Sequence, residues 1–387
     1  MIVTHLSLTD FRNYTALEVD LHPGANLFVG SNGQGKTNLV EALGYLSTLG
    51  SHRVSTEHAM IRQGQDAAIV RARLTHLERE VLAEVQINRS GANRAQVNRS
   101  AIKTRELPRF FSSVLFAPED LAVVRGEPAG RRKFLDELLV LRTPRMSAVI
   151  ADYERVLRQR NTLLKSARTA GVREHQLGTL EIWDERLVAL GSEIVDARSR
   201  LVTELAPEVD AAYSAIAGAD HAARLSSHLS FFAATADDDA ADESATRAGV
   251  IPAEVAAEAF RAALAGQRRS EIDRGVTLVG PHRDDLVLSL NGLPARGYAS
   301  HGESWSLALA LKLASAAVLR RESTVGDPVL ILDDVFAELD ESRRTRLADA
   351  IAGFEQVLIT AAVFDDVPSD LATHIVRITA GEVVPDE

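Results

Sequence analysis

The chain contains no cysteine, which excludes disulfides and thiolate-bound metal and fits a reducing compartment. It also lacks an uncharged apolar run of about 18 residues, so no membrane-spanning helix is expected. The start, Met1-Ile2-Val3-Thr4-His5, is neither basic nor followed by a long apolar stretch. No signal peptide is expected there, and the protein is expected to be cytoplasmic. Positive charge is in deficit: 43 Lys and Arg against 54 Asp and Glu leave a net charge of −11. That argues against nucleic acid as a partner unless basic residues cluster locally. What remains is an ordinary composition, 46% hydrophobic and 25% charged over 387 residues, enough for two domains or one large lobed one.

The most informative stretch is Gly30-Ser31-Asn32-Gly33-Gln34-Gly35-Lys36-Thr37. It fits the phosphate-loop pattern G-x-x-x-x-G-K-[ST] at every fixed position. The glycines let the backbone bend and turn successive N–H groups inward, where they and the following helix start cradle phosphate oxygens. Lys36 is placed to reach the β- and γ-phosphates, and Thr37 to offer its hydroxyl to Mg²⁺. The flanks agree: Ala25–Val29 reads as a strand and Asn38–Leu43 as the start of a helix.

Around this loop the chain reads in blocks. Residues 2–29 alternate as a small antiparallel sheet, interrupted by Phe11-Arg12-Asn13-Tyr14. That turn is either two aromatic anchors on an exposed bend or a device that aims Arg12 at the phosphates. Between Arg62 and Arg109 ten basic residues face five acidic ones on alternating strand patterns. Arg94, Arg99, Lys103 and Arg105 there are candidates for contact with a DNA backbone, against an ordinary solvated sheet face. Ser113–Phe116 reads as an apolar strand, and a helix opens near Arg131-Arg132-Lys133, where three cations oppose the helix dipole. That unfavourable start points to function or to an acidic neighbour. Residues 131–220 carry helical spacing with a break at Gly171 and Gly178, a short antiparallel helical arm. Residues 233–249 are acidic and poor in large apolar side chains, the composition of a mobile loop. His282-Arg283-Asp284-Asp285 reads as a surface turn or nucleic-acid contact ahead of a metal site.

The second half of the site lies far along the chain. Ser300-His301-Gly302-Glu303 opens a helix apolar nearly all round, either as a capping box or as another anion site. Val329-Leu330-Ile331-Leu332 is a buried strand ending in Asp333-Asp334. Ligands bind at that strand edge in open α/β sheets. Asp333 would hold Mg²⁺, and Asp334 would orient or deprotonate an attacking water.

With these residues in place the chain resembles an ABC-type ATPase head of the SMC and Rad kind and, more narrowly, the RecF family of bacterial DNA replication and repair proteins. The likeness runs from Phe11–Tyr14 and Gly30–Thr37 through Ala117–Leu121, Arg131–Asp136 and Gly280–Asp285 to Ser300–Glu303, Asp333-Asp334 and Asp340. It implies an α/β fold: a phosphate-loop ATPase head with a mixed-sheet lobe and a second, mainly helical lobe. The expected first lobe is 1–115 with 315–387. The expected second lobe is 116–314, with the arm at about 131–220 and a signature loop at 300–303. The resemblance further implies that Ser300, Gly302 and Glu303 contact the γ-phosphate held by an opposite subunit, with Asp340 at the dimer seam. ATP and Mg²⁺ would join a homodimer into a clamp on gapped DNA, with RecR as a protein partner, recombinase loading as the task and weak, DNA-dependent ATPase activity.

Two departures stand out. His301 and Glu303 replace the Gly and Gln of many ABC signature loops. Ala361 follows Thr360 where transporters place a γ-phosphate-contacting histidine. Losing that donor implies slow hydrolysis. The rival readings are a transporter ATPase subunit, disfavoured by the long insert between Lys36 and Ser300, a P-loop kinase for a small metabolite, which leaves the Ser300 loop and the arm unexplained, and a coiled-coil scaffold, for which the arm is too short.

Overall fold

The computed structural model describes residues 1–54, 56–171, 178–218, 221–234, 245–323 and 326–384. The chain forms two compact units. One is Met1–Leu121 with Ala211–Asp220 and Ser300–Glu387; the other is Ala122–Asp210 with His221–Ala299.

The first unit holds two six-stranded sheets. In the antiparallel sheet the order is Tyr14–Asp20, Ile2–Phe11, Ala67–His76, Arg79–Asn88, Arg94–Val97 and Ser100–Ile102. The basic strands therefore extend the N-terminal hairpin rather than forming a sheet of their own. Their alternation is clean: Ala68, Val70, Ala72 and Leu74 point into the core with Ala83, Val85 and Ile87. The second sheet runs Glu382–Val384, His374–Thr379, Gly24–Val29, Gln356–Ala361, Val329–Asp333 and Ser113–Phe116. All its pairs are parallel except the first.

Residues 24–29 thus leave the antiparallel sheet in which the sequence pattern groups them. The reason lies in their burial: Ala25 to Val29 are all buried, on both faces, as a central parallel strand requires. Helix Lys36–Thr48 packs against strands of both sheets, and Leu39 to Ser47 are all buried. Helix His301–Glu322 packs on strand Ser113–Phe116, where Lys312 Nζ reaches the Leu115 carbonyl at 2.8 Å and Asp120 Oδ1 at 2.7 Å. Residues 300–314, expected in the second lobe, accordingly fall in the first unit.

In the second unit, helices Met146–Ala170 and Leu180–Ala217 run antiparallel: Arg145 reaches Glu193 while Arg160 reaches Asp184. A third helix, Ala253–Arg274, closes on this pair. Arg160 is fully buried and donates to Asp184 at 2.7 Å, Glu271 at 2.7 Å and the Thr277 hydroxyl at 2.8 Å. One guanidinium thereby ties three helices and the Thr277 turn, so the expected two-helix arm is part of a larger packed body. Of the acidic stretch 233–249, residues 235–244 lie outside the described residues.

The His282–Asp285 run is a turn that exposes Arg283 but buries Asp284 and half-buries His282 and Asp285, so the surface-turn reading holds for Arg283 alone. Asp284 accepts from the Ser230 N–H and hydroxyl, each at 2.8 Å, and its burial pushes it up to about 6. His282 Nδ1 lies 2.7 Å from the Tyr153 hydroxyl, and burial lowers its pKa to about 4. Asp285 is the acidic neighbour that the cationic helix start called for. It takes two bonds from Arg131, at 2.7 and 2.8 Å. Helix Pro128–Arg142 begins three residues before Arg131, with Pro128 in its first turn.

Candidate nucleotide site

Parallel register sets out the site. Asp333 pairs with Thr360, and Thr360 pairs with Phe28, so three adjacent strands end at one edge. Strand Gly24–Val29 delivers the phosphate loop there, and helix Lys36–Thr48 leaves it. Gly35 caps that helix at a φ of +116°, where a Cβ would lie 2.7 Å from both Asn13 Nδ2 and the Tyr14 hydroxyl.

The Phe11–Tyr14 turn forms the floor of the loop. Phe11 and Tyr14 are buried anchors. The Tyr14 hydroxyl donates to the Gly35 carbonyl at 3.0 Å, and Asn13 Nδ2 donates to the Gln34 carbonyl at 3.2 Å. Arg12 does not take the expected direction. Its Nε and Nη2 donate to the two Glu41 oxygens at 2.8 and 2.6 Å, and Nη1 donates to the Ala59 carbonyl at 2.9 Å. The Glu41 carboxylate is fully buried, and a buried charge needs a partner.

Two groups at the edge are short of counter-charge among the described residues: Lys36, and Asp333, which has only the His52 ring 3.9 Å from its Oδ2. Lys36 is buried, and its ammonium rests on the carbonyls of Gly30 at 2.6 Å and Ser31 at 3.3 Å. Among the described residues it has no carboxylate partner. Asp333 is also buried. Its Oδ1 accepts from the Thr37 hydroxyl at 3.1 Å and the Thr360 hydroxyl at 2.7 Å. Burial, with the Asp334 charge behind it and against the pull of the Thr360 bond, pushes Asp333 up to about 6. The Asp334 N–H donates to Thr360 Oγ1 at 2.9 Å, and Asp334 Oδ1 is buried without a partner among the described residues. A phosphate with a divalent cation would fit both groups, the ammonium facing the one and the carboxylate the other. A hydroxyl and a carboxylate are the hard oxygen donors that Mg²⁺ takes.

The signature residues form a second cluster. Ser300 Oγ accepts the Glu303 N–H at 3.3 Å, while the Glu303 carboxylate accepts the Ser300 N–H at 2.8 Å, a capping box. Arg343 lies over Gly302, where a Cβ would sit 2.8 Å from its Nη1. Arg343 also donates to Asp340, from N to Oδ1 at 2.9 Å and from Nη1 to Oδ2 at 2.7 Å. The backbone bond, ahead of the guanidinium charge, holds Asp340 below the usual carboxylate range. Sequence reasoning missed Arg343, and also Thr360. No spacing signal selects them, because tertiary packing alone brings them to their sites.

Arg94, Arg99, Lys103 and Arg105 are exposed on the last hairpin of the antiparallel sheet and the turn after it. Asn98 and Arg99 form its two-residue turn, at φ of +50° and +65°. None of the four basic residues is in an ion pair among the described residues, whereas Arg71 pairs with Glu84 and Arg62 with Asp10.

A family model described as the RecF/RecN/SMC N terminal domain matches residues 2–381. The chain is 66% identical to the DNA replication and repair protein RecF of Clavibacter michiganensis subsp. michiganensis, over 99% of this chain and 96% of that one. The chain belongs to the RecF family. The RecF of Leifsonia xyli subsp. xyli is 65% identical over 99% of both chains. Two solved relatives are described as the recombination mediator protein RecF-ATPrS and RecF-ATP in the RecFOR pathway. They match with TM-scores of 0.85 and 0.83 at 28% identity, over 99% of this chain and 97% and 98% of theirs. An Smc head bound to the winged-helix domain of ScpA shares the fold, at 15% identity and a TM-score of 0.56 over 99% of this chain and 97% of that one. RecF membership leaves the α/β ATPase head in place and does not favour the transporter and kinase readings. Among the described residues no helix is long and apolar enough to cross a membrane.

Proposed function

We propose that this chain is an ATP-dependent DNA-binding protein of replication and recombinational repair, in which nucleotide joins two copies into a clamp at single-strand gaps. The observation that carries the reading is a phosphate loop whose buried Lys36 ammonium rests on carbonyls alone, joined to the acidic strand end by the Thr37 hydroxyl's bond to Asp333, in a chain that matches RecF over nearly its full length.

In this reading the loop N–H groups of 30–37 and Lys36 bind the phosphates of ATP. Thr37 and Asp333 hold Mg²⁺, which when bound neutralises charge between the β- and γ-phosphates. Asp334 orients the attacking water, fixed by Thr360 at its N–H. Ser300, Gly302 and Glu303 meet the nucleotide of the second copy, and Asp340 lies at the dimer seam. Ala361 contributes no side-chain donor at the end of its strand, which supports slow hydrolysis that acts as a release switch. The exposed Arg94, Arg99, Lys103 and Arg105 contact the DNA backbone. The RecFOR setting of the solved relatives supports RecR as a partner.

The test is binding to gapped DNA with and without a non-hydrolysable ATP analogue, on wild type and Lys36→Ala. Nucleotide is expected to strengthen binding in wild type alone. Binding that ignores nucleotide rejects the clamp.

A further inference from the structure

His52 stands in the turn that follows helix Lys36–Thr48. Its ring is mostly enclosed, and Nε2 is buried with no hydrogen-bond partner among the described residues. That nitrogen lies 3.9 Å from Asp333 Oδ2, beyond hydrogen-bond range. Asp333 spends its other oxygen, Oδ1, on the hydroxyls of Thr37 and Thr360. On the residue following Asp333, Asp334 Oδ1 is a second buried orphan. Native interiors rarely leave such atoms unpaired, and each one asks what group completes it.

The turn holds His52 firmly. Ser51 Oγ accepts the N–H groups of Arg53 at 3.0 Å and Val54 at 3.1 Å, and its own hydroxyl donates to Glu41. Arg53 Nη1 donates to Asn38 Oδ1 at 2.8 Å. Both neighbours of His52 are thereby tied to the helix that begins with Lys36, so the ring is presented rather than left to swing. Mg²⁺ prefers oxygen ligands, so the imidazole nitrogen is better matched to a phosphate oxygen beside the cation than to the cation itself. The end of strand Gln356–Ala361 offers no competing side-chain donor, because Ala361 stands there.

We propose that His52 Nε2 hydrogen-bonds the terminal phosphate of bound ATP and so makes the site distinguish ATP from ADP. The inference rests on the ATP reading above. It adds a nucleotide-sensing residue that lies outside the phosphate loop, the paired acids and the signature loop.

Calorimetric titration with Mg²⁺ and either ADP or a non-hydrolysable ATP analogue tests it, on wild type, His52→Ala and His52→Gln. His52→Ala is expected to weaken the ATP analogue roughly ten- to a hundredfold, the worth of one charge-assisted hydrogen bond, and to leave ADP unchanged. His52→Gln, whose amide can donate from a similar place, is expected to recover part of the loss. Lys36→Ala should weaken both nucleotides. Equal loss of both in His52→Ala would mean that the ring only supports the turn, and overturns the inference. So does a wild type that prefers ATP alongside a His52→Ala variant that keeps the preference, or a wild type with no preference. A wild type that binds neither nucleotide rejects the ATP reading itself.

Discussion

Thr360 Oγ1 donates to Asp333 Oδ1 at 2.7 Å and accepts the Asp334 N–H at 2.9 Å, so one hydroxyl on a neighbouring strand holds both acids. Thr360→Val keeps the shape and removes both bonds. The expected cost is about 1–3 kcal/mol, since the buried Asp333 Oδ1 loses a donor and the half-buried Asp334 N–H its acceptor. Urea unfolding measures it. Turnover should fall more than nucleotide affinity, because Asp334 loses its anchor while the phosphate loop is untouched. An equal fall in both would place Thr360 in binding alone.

Asp333 carries a cost that depends on pH. Its carboxyl is raised to about 6 by burial. In the unfolded chain it titrates near the ordinary value of about 4. Between those values the native state binds more protons than the unfolded one, so stability falls as pH rises through this window. Asp333→Asn removes the ionisation and keeps an oxygen for Thr37 and Thr360. It should raise the Tm of the nucleotide-free protein at pH 8, by an amount that shrinks toward pH 4. Asp284, raised to about 6 in the other unit, keeps its own contribution in both proteins. No gain at pH 8 would show that the Asp333 charge costs nothing.

Gly302, Arg343 and Asp340 act as one contact in this structure. A Cβ at 302 displaces the guanidinium that binds Asp340. Gly302→Ala and Arg343→Ala should each weaken nucleotide-dependent dimerisation, read by analytical ultracentrifugation. The double variant should be no worse than the poorer single one, because both changes break the same link. Additive losses would separate the two residues.

Arg94 and Arg99 are exposed and outside ion pairs, so their charges are available to a phosphate backbone. Charge reversal of both should weaken DNA binding across sequences and flatten its dependence on salt. A slope equal to that of wild type removes this hairpin from the DNA face.

The phosphate loop was legible because it is local. Gly30, Gly35, Lys36 and Thr37 sit within one turn of chain, and their residue types are each demanded by the same ligand. The buried strand before Asp333 was legible for a like reason, since an unbroken apolar run bounded by acids has few other uses. The alternation of the basic strands was equally plain, but not their sheet. Strand pairing is a long-range choice, and the register of Ile2–Phe11 against Ala67–His76 is decided by the core beneath both. The direction of Arg12 was not readable either: Glu41, buried on the next helix, competes for the guanidinium, and nothing in the turn itself reveals that rival.

Residue type and short spacing were enough for the phosphate cradle, the acids at the strand end and the buried helix after Ser300, while the ATPase-head family was legible as a resemblance spread from Phe11 to Asp340. The tertiary structure alone decided that Thr360 holds both acids, that Arg343 closes over Gly302, that Arg160 ties three helices, and that His52 comes within 3.9 Å of Asp333. Each of those joins residues far apart in the chain, and only packing of the two sheets and the helices against their neighbours can bring them together.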